Sequence, residues 1–386
     1  MREKTVIGIA VLLVLLFGLM IAGCNNDSPA DDAVQPDRDY PVYTKDNPLV
    51  MTFAIQEPPA GSRAERGFWL SEVIPERSDG RIKFEFYHSG SVYGTLTEMD
   101  MALMDGSLSM AHTINFTNHD PRFELLYLPL MFENDTHIDR FYDTDTFRDM
   151  MQSVYDNGII HIPGMNWGNM GSWMLINFDT PITTVEDFQG LKVREPEWTA
   201  FRPLLDKVGV SAVQIPIPEV SAALDTGMID GVITNEPGLV GMGLLEKGPY
   251  ILNSPRLNYD GWNMFGVFIS KAWWDKVPPD LREIILFSLS EASGKMRPAV
   301  IDQTDTITAF AQMGATITEL EDAEYEKLLE LAQESWQATA QELDQAGFDG
   351  QALIDKIAGM RGVPYNPTTP SDYYFKDRQG QWYFGN

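Results

Sequence analysis

Gly190-Leu191-Lys192-Val193-Arg194-Glu195-Pro196 is the stretch whose reading decides the fold of this 386-residue chain. Just ahead of it, Thr183 or Thr184 is followed three residues on by Glu186 or Asp187, the capping box of one short helical turn. Gly190 can end that turn in the left-handed backbone that a side chain would oppose. Leu191-Lys192-Val193 then alternates apolar and polar as a strand does, and Pro196, with no N–H to offer a ladder, stops it. Arg194 therefore falls near the carboxyl end of its strand, the edge at which open α/β sheets take their ligands. A guanidinium is a planar fork of five donors, shaped to grip a carboxylate with two parallel hydrogen bonds. On spacing alone, a surface arginine in an ion pair remains the alternative.

Downstream of that stretch, Ser211–Ile215 reads as a strand and Pro218–Asp225 as a helix with proline in its first turn. Gly227 stops the helix, and Gly231–Thr234 is the next strand. Upstream, strands at Met51–Ile55, Ile82–Tyr87 and Ser109–Thr113 alternate with helices at Arg63–Ile74 and Leu96–Asp105, the pattern of a mostly parallel sheet with crossover helices. Met99, Leu103 and Met104 form an apolar stripe that reads as core packing, not as a metal or redox device. A proline-interrupted apolar run, Phe123–Phe132, leads to a helix at His137–Asp156, which contains the acidic run Asp143-Thr144-Asp145, and a strand at Ile159–Gly164. The chain leaves this first domain at Trp167–Asn177 and shows another strand at Trp262–Ser270. Pro279–Gln312 is a long helical pattern broken only by Gly294 and Pro298, long enough to span two domains and brace their hinge. Helices at Ala323–Ala346 and Gly350–Met360 follow, and residues 361–386 read as a strap lying on the surface.

The chain opens on a processing segment, with Arg2 and Lys4 before an apolar run that reaches Ala22. Ile21-Ala22-Gly23-Cys24 resembles the lipobox of bacterial lipoproteins, in which Cys24 would carry the lipid; an uncleaved anchor helix is the alternative. Either way the rest of the chain is exported to the cell envelope. Cys24 is the one cysteine, so a disulfide within the chain is impossible and stability must come from a large core. Fifty-six acidic and twenty-eight basic residues leave a charge of −28, which repels nucleic acid and anionic lipid surfaces. Membrane attachment is thus expected through the N-terminal lipid or helix.

Several motifs, taken in order, give the chain a family resemblance. Gly80–Tyr87 with Ser89-Gly90, Leu128-Pro129-Leu130-Met131-Phe132, Phe188–Arg194, and the run from Glu219 through Ala223-Leu224 to Gly227-Met228-Ile229-Asp230-Gly231 resemble the DctP-like substrate-binding proteins of TRAP transporters over about Val50 to Ile357. The resemblance implies a two-domain α/β fold of the type II periplasmic-binding-protein kind, hinged and braced by a long helix. It implies capture of a small organic acid between the domains and delivery to the small and large membrane subunits. The expected boundaries are 1–24 for the leader and 25–48 for a flexible linker. Residues 49–166 with about 258–290 form domain I, 167–257 with about 291–360 form domain II, and 361–386 the tail.

Arg194 matches the family's carboxylate-clamping arginine. Many members carry a second arginine some twenty residues earlier, but here no arginine occurs from Ile159 to Lys192, and Trp173 or a neighbour takes its place. That departure favours a monocarboxylate with an apolar or aromatic body, on which Trp173 and Trp198 are placed to stack. The strand-end run gives Thr234 and Asn235 as polar contacts, with Gln56, Glu57, Asn115 and Trp262 as further candidates. Glu236 and Asn235 would suit a hard cation bridging the ligand, whether sodium or a divalent ion. Two such oxygens fall short of the roughly six to eight that calcium takes, so no metal or other cofactor is expected.

An exported hydrolase or metal enzyme is the competing class. It lacks the Gly-x-Ser-x-Gly elbow, the His-Glu-x-x-His pair and the phosphate loop, and the five histidines are dispersed. A component that presents ligand to a sensor is a third class, which neighbouring genes would separate from transport.

Overall fold

The computed structural model describes residues 39–60, 62–112, 114–162, 174–195, 200–234, 236–252, 266–296 and 303–363. Cys24, Trp173, Trp198, Asn235, Trp262 and most of the tail, 364–386, lie outside them. Among the described residues no helix is long and apolar enough to cross a membrane.

The chain enters as β1 (Leu49–Ala54), crosses over as α1 (Ser62–Arg77) and returns as β2 (Ile82–Tyr87), parallel to β1. A second crossover, α2 (Leu96–Asp105), leads to β3 (Met110–Ala111) on the other side of β1. The expected helix at His137–Asp156 is two helices, α3 (Asp135–Tyr142) and α4 (Asp145–Asp156), before β4 (Ile159–Ile162). Thr144 explains the break, because its hydroxyl oxygen accepts from the Phe147 N–H and caps the second helix. Asp143-Thr144-Asp145 is therefore a helix junction and not a stretch within one helix.

The second lobe starts with β5 (Met174–Asn177). A single 3₁₀ turn at Val185–Phe188 then leads to β6 (Lys192–Glu195), α5 (Arg202–Lys207) and β7 (Ser211–Gln214). A further 3₁₀ turn, Ile217–Glu219, precedes α6 (Val220–Asp225), β8 (Gly231–Thr234), α7 (Glu236–Gly241) and β9 (Tyr250–Leu252). The chain returns to the first sheet as β10 (Val267–Ser270), followed by α8 (Lys271–Trp274) and α9 (Pro279–Met296). It finishes with α10 (Gln303–Gln312), β11 (Thr316–Thr318), α11 (Asp322–Gln345) and α12 (Gly350–Ala358).

Two sheets result, one ordered β2-β1-β3-β10-β4 and the other β11-β9-β5-β8-β6-β7. Both are mixed but mostly parallel, as expected, with a single antiparallel strand in each. β10 runs antiparallel to β3 and β4, and β5 antiparallel to β8 and β9. β5 and β10 are the strands by which the chain arrives from the other lobe, so they enter their sheets from the opposite end. β5, β9 and β11, of three or four residues each, are not read as strands from the sequence.

Each sheet is buried on both faces. Met51, Phe53, Ile160 and Val267 meet α1, α8 and α9 on one face of the first sheet, while Ala54, Ala111 and Phe268 meet α2, α3 and α4 on the other. The methionine stripe is only partly core, for Met99 and Leu103 are fully buried and Met104 is exposed.

The expected hinge brace, Pro279–Gln312, reaches both lobes. Within Pro279–Gln312 the described residues are helical at 279–296 and 303–312: α9 packs into the first lobe through Leu281, Ile285 and Leu289, and Phe310 of α10 packs into the second. Among the described residues, α11 belongs to both cores. Tyr325, Leu328 and Ala332 of α11 lie in the second-lobe core, and Trp336, Ala340 and Leu343 lie in the first. That half of α11, with Ile354 and Ile357 of α12, sits on the first lobe although its sequence position falls in the expected domain II.

The crossing point is Trp336, whose indole N–H donates to the Pro129 carbonyl at 2.9 Å. Trp336→Phe keeps most of the ring and deletes that donor. Leaving a buried carbonyl short of its partner should lower stability by about 1–2 kcal/mol, read from the urea midpoint at unchanged slope.

Candidate functional site

The turn before β6 forms as its residues require. The Asp187 carboxylate accepts from the backbone N–H groups of Thr183 and Thr184 at 2.9 and 2.8 Å, and those bonds hold it below the usual carboxylate range. Gly190 follows with φ +84°, and β6 starts from there between β7 and β8, parallel to both.

Along β6 the side chains alternate, and the two faces have different fates. Val193 enters the core that lines one face. Arg194 shares the opposite face with its register partners Val213 and Val232. Arg194 is 4% exposed, and its guanidinium meets backbone oxygen: Nε donates to the Ile215 carbonyl at 2.8 Å and Nη1 to the Ile233 carbonyl at 3.2 Å. Those carbonyls belong to the carboxyl ends of the flanking strands, so the fork is held in plane at the sheet edge. Thr234, also buried, sits two residues past Val232 on the same face, about 6.6 Å further along its strand.

Glu195 turns the other way and is fully buried, with Arg202 of α5 bridging one carboxylate oxygen. The same Arg202 donates to the Ala212 carbonyl at 2.7 Å, tying the start of α5 to β7. Oε2 of Glu195 has no hydrogen-bond partner, and burial pushes its carboxyl above the usual range while Arg202 pulls it back.

In the first lobe, Gln56 and Glu57 lie just past β1 and Asn115 just past β3, so all three stand at one sheet edge. Gln56 and Glu57 are buried. Gln56 donates from its amide to the Gly94 carbonyl at 3.0 Å, and the Glu57 carbonyl accepts from the Ser89 N–H at 2.9 Å. Asn115 is half-buried and accepts from the Thr117 hydroxyl at 2.7 Å. Arg66, which spacing did not single out, is 3% exposed one turn before Leu70 on the inner face of α1. Burial lowers it to about 10, so it stays charged at neutral pH. A charged residue inside an otherwise apolar helical stripe is the signal that would have found it.

The two edges face each other. Gly90, just past β2, sits against Pro218, just past β7, so closely that a methyl on Gly90 would lie 3.0 Å from the proline ring. α1 likewise touches α7. The structure thus brings Arg194 and Thr234 together on one edge and Gln56, Glu57 and Asn115 on the other, with the two loops closed across the cleft. Trp173, Trp198, Asn235 and Trp262 lie outside the described residues, and of Glu236 only the backbone, opening α7, is described.

The histidines have structural surroundings. His161 stacks on Phe268 at 4.9 Å and burial lowers it to about 3, while His137 bonds to the Ile357 carbonyl at 2.8 Å and His119 to Asp100 at 2.6 Å. Among the described residues, no three acidic, histidine or cysteine side chains gather as a metal site would need.

Two hinged α/β lobes, with a buried arginine at the strand ends that line the cleft, define a solute-binding protein. The chain belongs to the bacterial extracellular solute-binding proteins of family 7, the DctP family, whose profile matches residues 63–343. It is similar to a solute-binding protein of Chromohalobacter salexigens, 24% identical over 59% of this chain and 66% of that protein. It is also similar to the sialic acid-binding periplasmic protein SiaP of Vibrio cholerae, 24% identical over 75% of this chain and 86% of that one. A solved TRAP periplasmic solute-binding protein from C. salexigens, with bound D-glucuronate, superposes with a TM-score of 0.66 at 20% identity, covering 81% of this chain and 100% of the other. The resemblance read from the motifs is correct, and the family is one of binding proteins, not enzymes.

Glu195 gives a pH signature. Its folded form holds the proton more tightly than the unfolded chain, whose glutamates titrate near about 4.3. Ionisation therefore weakens the fold as pH rises from that value through the raised folded value, and the whole penalty is present above it. Relative to Glu195→Gln, the native protein should lose stability across that window in urea titrations. Parallel stability profiles for the two proteins would refute the assignment.

Proposed function

We propose that the protein captures a small organic acid outside the cytoplasm and hands it to the small and large membrane subunits of a TRAP transporter, with Arg194 receiving the carboxylate. One observation carries this reading. An arginine at 4% exposure, its guanidinium held by two strand-end carbonyls, is pre-aimed, so ligand binding need not order it. The names of the relatives, which include binders of sialic acid and D-glucuronate, agree in chemical class. Thr234 and Asn235 would contact the ligand's polar groups from the second lobe, and Gln56, Glu57 and Asn115 from the first. Trp262 would line the cleft wall. No metal takes part in this scheme.

The absence of arginine from 159 to 192 supports a single carboxylate on the ligand. An apolar or aromatic body rests on Trp173 and Trp198 alone, whereas the named relatives take polar sugar acids. Attachment to the membrane runs through a lipid on Cys24 in this proposal.

Arg194→Ala should keep the fold, at some loss of stability from the two carbonyls it leaves unpaired, and weaken the bound acid by about 3–5 kcal/mol. That is on the order of a hundred- to several-thousand-fold by calorimetry against a panel of sugar acids, dicarboxylates and aromatic monocarboxylates. Equal affinities in native and variant protein would remove Arg194 from the site.

Closure supplies a second test. Gly90 holds φ +60° where a side chain is strained, and it faces Pro218. Gly90→Ala should hold the lobes apart and weaken the same acid by about tenfold, with a larger radius of gyration in solution scattering of the ligand-bound form. An unchanged bound radius would show that this contact does not limit closure.

A further inference from the structure

Two residues cross the lobe boundary in opposite directions. Leu130 lies in the first-lobe segment, but its side chain packs in the second-lobe core with Leu175, Val193 and Leu328. Ala200 lies in the second-lobe segment, yet it packs in the first-lobe core with Phe123, Leu126 and Trp336. Leu130 reaches across because its backbone is left-handed, φ +58°, a strained conformation for a leucine; Arg361 holds the Leu130 and Met131 carbonyls beside it. Ala200 is fixed by a hydrogen bond, its N–H donating to Oε2 of Glu124 at 3.1 Å. Glu124 belongs to the 3₁₀ helix Pro121–Tyr127 of the first lobe.

Resting on the assignment of Arg194 as the carboxylate anchor, we propose that Glu124 is a positioning residue for that site, coupling Arg194 to the position of the opposite lobe. The segment that leaves Arg194 is tied at its far end in two ways. Arg202 returns to Glu195 beside Arg194, and Ala200, two residues earlier, is tied to Glu124 across the boundary. Movement of the first lobe therefore pulls on the strand end that carries the guanidinium. A hydrogen bond to a carboxylate is stronger than a neutral one, which suits it to a joint that must transmit such a pull. Glu124 is also anchored on its own side. The Pro129 and Leu130 carbonyls that close its segment are held by Trp336 and Arg361, so it stands on the brace helix and not on a free loop.

The test compares Glu124→Ala and Glu124→Gln in the full chain, with Arg194→Ala alongside. Amide hydrogen exchange is read at Ala200 and across residues 192–195, and affinity is measured with D-glucuronate as the probe acid. Glu124→Ala should speed exchange at both places and weaken the probe by about tenfold. Glu124→Gln, which keeps an acceptor oxygen, should restore both to within about threefold of native. Faster exchange confined to Ala200, with 192–195 and the probe unaffected, would make the contact merely structural and overturn the proposal. So would a glutamine variant as impaired as the alanine one. If the probe binds native protein and Arg194→Ala alike, the anchor assignment itself fails, whatever Glu124 does. If native protein does not take up D-glucuronate, exchange at 192–195 in the two Glu124 variants decides the proposal alone.

Discussion

A guanidinium excluded from water must find oxygen, and around Arg194 that oxygen comes from the ends of strands. The Ile215 carbonyl lies just past β7, and the Ile233 carbonyl just past the last pair that joins β6 to β8. This works only with β6 between two parallel neighbours, so that all three strands end on one side. Much of the second lobe follows from that need. The Thr184 turn and Gly190 set where β6 begins, and Glu195 and Arg202 fix where the chain goes next. An arginine in a helix or at mid-strand would meet side chains or a closed ladder, and its burial would go uncompensated.

The lobes are joined by more than connecting chain. α11 gives its first half to one core and its second half to the other, so neither lobe packs fully without it. The exchange of Leu130 and Ala200 repeats that logic at the level of single side chains. Such a junction tolerates rotation about a narrow waist, where few side chains must repack. It resists separation, which would open both cores.

The parts of the fold legible in the sequence are those with a strong local cause. Capping at Thr184, a left-handed Gly190 and proline-bounded strands place β6, β7 and β8 almost to the residue. The place of Arg194 near the end of its strand is legible from spacing, whereas its burial on strand-end carbonyls is seen only in the structure. What stays hidden is set by distant contacts. β5 and β10 run antiparallel because of where the chain returns from, which no local pattern records. Glu124 reads as an ordinary acid in an apolar run until Ala200 is seen beside it. The long pattern at Pro279–Gln312 is legible as helix, but not which core each part joins, since α9 and α10 serve different lobes.

Position and chemistry together limit how such a cleft can discriminate. A ligand shifts the open–closed balance only by the difference in its contacts between the two states. In the proposed scheme Arg194 and Thr234 hold the solute from the second lobe, so their bonds favour closure only as far as the Glu124–Ala200 tie makes them follow the first lobe. The rest of the preference for the closed form would come from the opposite edge, where Gln56, Glu57 and Asn115 stand. Two of these are buried, and the Glu57 backbone is fixed by Ser89, next to the Gly90 loop that touches Pro218. Recognition by the first lobe and closure of the cleft thus share one short segment. A solute that satisfies Arg194 but not that edge would bind without closing the trap. In the proposed scheme the second lobe gives affinity for acids as a class, and the first decides which acid is carried onward.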